Sequence, residues 1–375
     1  MAGQKSQSET EHVMDGATIS PSAMTQSFNL SAAIVSKSLI LLLTRFHAGY
    51  FRISLSLGGQ ALLWKTLLQP ANHVILTTIP IIVWLFALFI LVLFSILYIL
   101  RCVYRFNMVK AEFLHHIGVN YLFAPWISWL LLLQSSPFVA PKNVSYLILW
   151  WIFAVPVFVL DVKIYGQWFT KGKRYLTAVA NPTSQISVIG NLVGARAAAQ
   201  MGWQEIAVCL FSLGMVHYLV LFVTLYQRFP GCDRLPAMLR PVFFLFFAAP
   251  SMASLAWDTI SGSFDIASKM LFFLSLFLFI SLICRPFLFK KSMRRYHVAW
   301  WAYSFPVTSL ALASAEYAQE VEGGVTHAIM LILSGLSVLV ILSLLVFTAL
   351  NTKMLLPDDD PILPTSLPDH PLSTA

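Results

Sequence analysis

Ten apolar stretches, near 46–65, 74–100, 117–137, 145–168, 184–200, 204–227, 240–261, 264–289, 297–317 and 325–350, fill most of this chain of 375 residues. About 20 apolar residues in a helix cross the hydrocarbon core of a bilayer, where every backbone group needs an internal partner. Only 11% of the residues are charged, against roughly 25% in a soluble domain. That is too few to wet a water-facing exterior. The chain therefore reads as an all-α membrane protein with ten transmembrane helices over residues 38–353. A polar, Ser/Thr/Gln-rich tail precedes them over 1–37, and a tail with five prolines and Asp358, Asp359 and Asp360 follows over 354–375.

Lysine and arginine set the orientation, because inner loops carry the excess of both. With both termini cytosolic, 19 of the 24 Lys and Arg residues lie in inner segments; Arg52, Lys65, Lys142, Arg196 and Lys269 do not. An odd number of crossings would scramble that bias. The net charge of +8 thus reports on membrane orientation, and no nucleic-acid partner is expected. Asn143-Val-Ser145 falls in an outer loop, where its glycosylation sequon is usable. The polar start of the chain shows no signal-peptide pattern, leaving targeting to the first helix.

The helices alternate in kind. Even-numbered ones are dense in Leu, Ile, Val and Phe, which suits lipid. Odd-numbered ones carry Gly49, Gly58, Gly59 and Gln60 in the first; Asn120 and Pro125 in the third; and Gly190, Asn191 and Gly194 in the fifth. The seventh holds Pro250, Ser251 and Ser254, and the ninth Ser304, Pro306, Thr308 and Ser309. Proline frees a carbonyl and kinks a helix, and freed groups at membrane depth are tolerated only against protein or water. The simplest arrangement is five tandem helical hairpins, with the odd-numbered helices as an inner ring around a central pore. Small residues also permit close helix packing without any pore, and the pattern alone does not choose between these readings.

Charges at mid-depth are costly and mark function. The odd-numbered helices hold almost none there, which favours passive conduction over proton-coupled transport. Asp161 sits near Lys163 at an inner boundary and is expected to form a local salt bridge; Glu316, Glu320 and Glu322 are expected to be solvated at an outer end. Arg52 either draws anions into the inner mouth or snorkels to lipid headgroups, and Arg196 lies near an outer end. No catalytic motif is present, and adjacent His115 and His116 do not share a helix face. The four cysteines show no metal-like or disulfide spacing. The chain is not expected to be an enzyme or to bind a cofactor or metal.

Four segments carry a resemblance: Tyr121-Leu-Phe-Ala-Pro125-Trp126; Gly190-Asn191-Leu-Val-Gly194-Ala195; the run from His217-Tyr218 to Tyr226-Gln227-Arg228; and Ala299-Trp300-Trp301-Ala302-Tyr303-Ser304-Phe305-Pro306. Together they resemble the plant slow-type (S-type) anion channels, relatives of the bacterial tellurite-resistance and dicarboxylate transporters, over roughly residues 40–350. The resemblance implies five tandem hairpins with a pore in each protomer, a homotrimer or a heteromer with related subunits, and chloride and nitrate as permeant ions. It also implies a plasma-membrane location and control by a kinase. Pro125, Gly190, Gly194, Pro250 and Pro306 look like the family's inner-helix kinks. Phe305 matches the phenylalanine that plugs the family's pore, and Phe123, before Pro125, is a second aromatic candidate at the same constriction.

The chain departs from the resembled pattern in two places: it reads Arg45-Phe46-His47-Ala48-Gly49 where many members have a proline near the start of the first helix, and Arg52 stands where many have a small residue. The short amino-terminal tail resembles the short-tailed branch; Ser6, Ser8, Thr10, Ser20, Thr25 and Ser27 are the phosphorylation candidates in it. Gated conduction of small inorganic anions is the leading expectation. A carrier of dicarboxylate or sulfite-like anions, and a poorly conducting subunit that modulates a related channel, are the alternatives.

Overall fold

The computed structural model describes residue 37 and residues 39–68, 74–115, 117–170, 180–228, 237–294 and 296–352. Both tails, with the phosphorylation candidates and the three aspartates, lie outside the described residues, as does His116. By its contacts the chain divides into Met1–Leu42, whose described residues are helical, and Leu43–Ala375. All regular structure among the described residues is helical.

The second unit contains ten principal helices: α1 (Phe51–Leu68), α2 (Val74–Tyr104), α3 (Phe123–Ser135), α4 (Val144–Thr170), α5 (Gln185–Gln200), α6 (Gln204–Arg228), α7 (Leu245–Ser261), α8 (Ile266–Ile283), α9 (Ser304–Glu320) and α10 (Gly324–Leu350). Each lies within one of the expected apolar stretches or overlaps it closely. Six described helices are long and apolar enough to cross a membrane by length and composition. A seventh joins them if Phe106–Leu114 and Gly118–Ser135, bent by 106°, form one broken span. α5 and α9 are too short for that test, and α1, as long as α8, is too polar for it with Arg52, Gln60 and Lys65.

The odd-numbered helices begin later than hydropathy suggests, and the reason is local. Short 3-10 turns lead into four of them: Ala48–Tyr50, Pro182–Ser184, Ala237–Phe244 and Val298–Tyr303. A four-residue helix, Gly118–Tyr121, precedes α3. Proline has no N–H to give to the fourth carbonyl before it, so an α-turn cannot be closed across it. Pro306 and Pro125 consequently occupy the first turns of α9 and α3, where the missing donor costs little. Pro250 lies inside α7, and Pro80 and Pro156 lie inside the outer helices α2 and α4 in the same way. Gly190 and Gly194 sit in the unbroken helix α5. A Cβ on Gly190 would lie 3.1 Å from Val157 and 3.5 Å from Ile127, so its bareness serves close approach of α4 and α3.

Helix packing follows a repeat. α1 packs on α3, α3 on α5, α5 on α7, α7 on α9, and α9 returns to α1. Each even-numbered helix packs on the odd one before it and on the odd one after it, with α10 touching α9 and α1. Burial agrees with composition. Residues 185–199 of α5 are all buried, whereas α2 exposes Ile82, Phe89 and Ile99. Lipid-facing positions are thereby greasy and cycle positions small, as packing between close helices requires.

Polar side chains tie the layers. Gln60 Nε2 donates to Thr308 Oγ1 (3.1 Å) and Ser337 Oγ (2.7 Å), joining α1, α9 and α10. Asp161 is buried and accepts from Asn191 Nδ2 at 2.7 Å. Lys163 instead donates to the Phe113 carbonyl and stands over its ring. The expected Asp161–Lys163 bridge is therefore corrected: residues two apart point to different helix faces. Glu316 is likewise not simply solvated, since Arg196 Nη2 reaches its Oε1 at 3.2 Å. Glu320 and Glu322 are exposed.

At the corner after α2, Phe106–Leu114 folds back so that Glu112 meets Arg101, and His115 Nδ1 accepts from Gly118 N at 3.2 Å. The turn leaves no room at Gly118, where a Cβ would lie 2.8 Å from the Glu112 carbonyl oxygen. Backbone cannot step aside as a side chain can. Gly118→Ala is expected to destabilise the protein by about 1–3 kcal/mol, seen as a lower unfolding temperature of the detergent-solubilised chain. An unchanged temperature would mean that the corner yields freely.

Candidate functional site

The cycle of odd-numbered helices closes on a small cavity of about 20 Å³ next to Phe305 and Pro306. Its wall takes Arg52 and Leu55 from α1, Tyr121 from the lead-in to α3, Ile186 from α5 and Leu245 from α7. Val242, on the 3-10 turn before α7, and Trp301 and Ala302, on the one before α9, complete it. Every helix of the cycle, or its lead-in, thus contributes a side chain at one level.

Phe305 is the second residue of α9 and is 2% exposed. Its ring lies against α1 at Gly59, where a Cβ would stand 3.4 Å from Phe305 Cδ2 and 3.3 Å from Thr308 Cγ2. A glycine with no side chain is what lets the ring lie flush with the helix opposite. Phe123 is fully buried at the start of α3, but it is not among the residues that line the cavity. Of the expected kink residues, Pro306 borders the cavity and Pro125, Gly190, Gly194 and Pro250 do not.

Arg52 answers one question that the sequence left open. It is 6% exposed and faces into the cycle, away from the exposed sides of the outer helices. Its Nε donates to the Gly49 carbonyl at 2.5 Å, and its guanidinium carbon stands 4.8 Å from the centre of the Tyr121 ring. Gly49 makes this possible, because a Cβ there would come within 2.7 Å of Arg52 Nη2 and 2.5 Å of His47 Cε1. His47 in turn accepts the Gly49 N–H through Nδ1 at 3.0 Å and sets its ring edge-on to Tyr50, with centroids 4.8 Å apart. His47 and Arg52, both singled out in the sequence, therefore meet in one knot around Gly49.

Arg196 lies elsewhere. It is ten residues beyond Ile186 along α5, about 15 Å at 1.5 Å per residue. There it pairs with Glu316 of α9, and Lys65 Nζ of α1 donates to the Gln134 carbonyl of α3 at 2.8 Å. These contacts fasten the far ends of the cycle to one another. Arginine keeps its charge at any physiological pH, so the cavity holds a fixed cation among an apolar wall, the face of Tyr121 and the side chain of Trp301.

Sequence reasoning passed over Gly49, Tyr121 and Trp301 as site residues. Tyr121 and Trp301 belong to segments singled out for their resemblance, but nothing in their spacing says that they share a cavity.

A family model described as "Voltage-dependent anion channel" matches residues 45–349. Among curated relatives, S-type anion channel SLAH1 of Arabidopsis thaliana is 60% identical over 328 residues, 86% of this chain and 85% of that protein. S-type anion channel SLAH4 of the same plant is 60% identical over 321 residues, 86% of this chain and 88% of the relative. The guard cell S-type anion channel SLAC1, also from Arabidopsis thaliana, is 45% identical over 325 residues, 84% of this chain and 58% of its own length.

Proposed function

We propose that this chain, which belongs to the voltage-dependent (S-type) anion channel family, conducts small inorganic anions passively across the plasma membrane, chloride and nitrate among them. It is a multi-pass membrane protein and, its relatives being channels, not an enzyme. In this reading the ten helices cross the membrane as five tandem hairpins with both termini cytosolic. α1, α3, α5, α7 and α9 wall a pore in each protomer, and protomers assemble as a homotrimer or with related subunits. Pro125, Gly190, Gly194, Pro250 and Pro306 shape the inner helices. Phe305 occludes the pore, Phe123 backs the constriction, Arg52 and Arg196 supply positive potential along the path, and a kinase acting on the amino-terminal tail regulates opening.

The observation that carries this reading is the closed cycle of five helices with the Phe305 ring seated on bare backbone at Gly59. An aromatic ring at such a constriction excludes a hydrated ion, and a rotamer change moves it without rebuilding the bundle. Asp161 is the observation that favours a second reading, a proton-coupled carrier, since it is a buried carboxylate within the bundle. It lies between α4 and α5, bonded to Asn191, and is not part of the cavity wall.

Voltage clamp of the chain in oocytes separates the readings. Ohmic currents that reverse with the anion gradient and persist when the proton gradient is collapsed are expected. Saturating, proton-dependent uptake would replace the channel by the carrier. Silence alone, with altered gating when a longer relative is co-expressed, would make it a modulating subunit. Orientation has its own test at Asn143, whose side chain is exposed. Translation with microsomes is expected to yield a glycosylated band that Asn143→Gln removes, and a chain that never shifts would overturn the assigned sidedness.

A further inference from the structure

Resting on the channel reading, we infer that the cavity beside Phe305 is a binding site for one monatomic halide, held by Arg52 in the occluded state.

The argument begins with an unbalanced charge. Arg52 is 6% exposed, and its Nη1 has no hydrogen-bond partner. Arg101 and Arg196 are each answered by a glutamate, but Arg52 has no carboxylate partner among the described residues. A guanidinium cannot shed its proton to escape burial, and a buried cation without a counter-charge is strongly unfavourable. The side chain is not free to seek water either. The Gly49 carbonyl, the Tyr121 face and the His47 knot hold it toward the cavity. A group so placed, charged and unsatisfied calls for an anion on its open side.

Size then names the anion. The cavity has about 20 Å³, where one water-sized particle needs roughly 10–15 Å³ on the same measure. A dehydrated chloride or bromide is of that order. Planar nitrate, with four heavy atoms, does not fit unless Phe305 moves aside. The wall suits a polarisable ion, because apart from Arg52 and Tyr121 it is aliphatic, proline or aromatic. Halide in this pocket neutralises Arg52 and packs beneath the occluding ring, so it stabilises the closed form; nitrate enters only as the ring leaves.

The test uses the full chain purified in detergent and sodium gluconate, titrated with bromide at constant ionic strength. Its unfolding temperature is expected to rise saturably with bromide. The rise with nitrate should need at least tenfold more anion. Arg52→Gln is expected to weaken the bromide effect at least tenfold. Ala302→Leu fills the cavity and leaves Arg52 in place, so it should abolish the effect and decides the matter if Arg52→Gln does not fold. Bromide stabilisation equal to that of gluconate, or unaltered in either variant, overturns the site. The gate is judged separately, by currents through Phe305→Ala. Current without a bromide effect removes the halide site and leaves the channel. A bromide effect that needs Arg52, in a protein that stays silent as Phe305→Ala, keeps the site and removes the gate.

Discussion

Phe305→Ala expressed in oocytes is expected to pass anion current at least about tenfold above the unaltered chain, equal to lowering a barrier by about 1.4 kcal/mol. The ring is the bulky group from α9 that meets α1 at Gly59, which has no side chain to fill the space it leaves. Thr308, one turn further along α9, also touches Gly59 but is too short to fill the space of the ring. Truncating a buried phenylalanine typically costs about 3–5 kcal/mol of stability, so current is to be normalised to protein at the cell surface. Phe305→Leu serves as a control that keeps apolar bulk and should open the path less. Adding Gly59→Val to the alanine variant should restore closure in part, because its Cβ projects to where the ring had been. Well-expressed Phe305→Ala with unchanged current would show that the constriction lies elsewhere.

The second large effect is expected at Glu112. Its side chain and that of Arg101 are both 1% exposed and lie 3.5 Å apart, and Glu112 Oε1 also accepts the Ala48 N–H at 2.7 Å. One carboxylate thus joins the end of α2, the helix Phe106–Leu114 and the turn that starts α1. Glu112→Ala strands a buried guanidinium, which costs about 3–5 kcal/mol when one partner of such a pair is removed. The measurements are unfolding temperature and yield of monodisperse protein in detergent. A double replacement, Arg101→Leu with Glu112→Leu, should cost less than the single change, because no charge is left unpaired. A Glu112→Ala protein as stable as its parent would mean that water reaches this corner. Since Ala48 precedes Gly49 and the Arg52 knot, the single change should also weaken the bromide effect.

Much of the helical framework is readable from hydropathy. The stretch expected at 74–100 is the helix Val74–Tyr104, and that expected at 325–350 is Gly324–Leu350. Both are apolar on all sides, so periodicity has little to confuse. The stretches at 240–261 and 297–317 start too early, because hydropathy does not tell a 3-10 turn from an α-turn ahead of a proline. Asp161 misled for another reason: its near neighbour Lys163 suggested a pair that helix geometry does not permit, and its partner Asn191 lies 30 positions away. The Glu112–Arg101 pair has no sequence signal at all, since the chain must reverse between them before they can meet.

The site shows the same division. Pro306 stood out as a proline in an odd-numbered helix, but Phe305 came from a resemblance carried by adjacent residues, and no property of one phenylalanine among 29 would have marked it. Arg52 stood out as a charge in an apolar helix, yet its direction was open. α1 is small or apolar around its whole circumference, with residues 51–63 all buried, so no polar stripe points to one side.

Hydrophobicity and charge are properties of each residue and its near neighbours. The amino-acid order alone therefore suffices to say that the chain lives in a membrane and roughly where its helices run. Closing α9 back onto α1, seating a ring on Gly59 and leaving one guanidinium nitrogen bare inside a cavity are facts about residues hundreds of positions apart. They depend on how ten cylinders of given width and side-chain volume fill space together, and only the packed bundle expresses that.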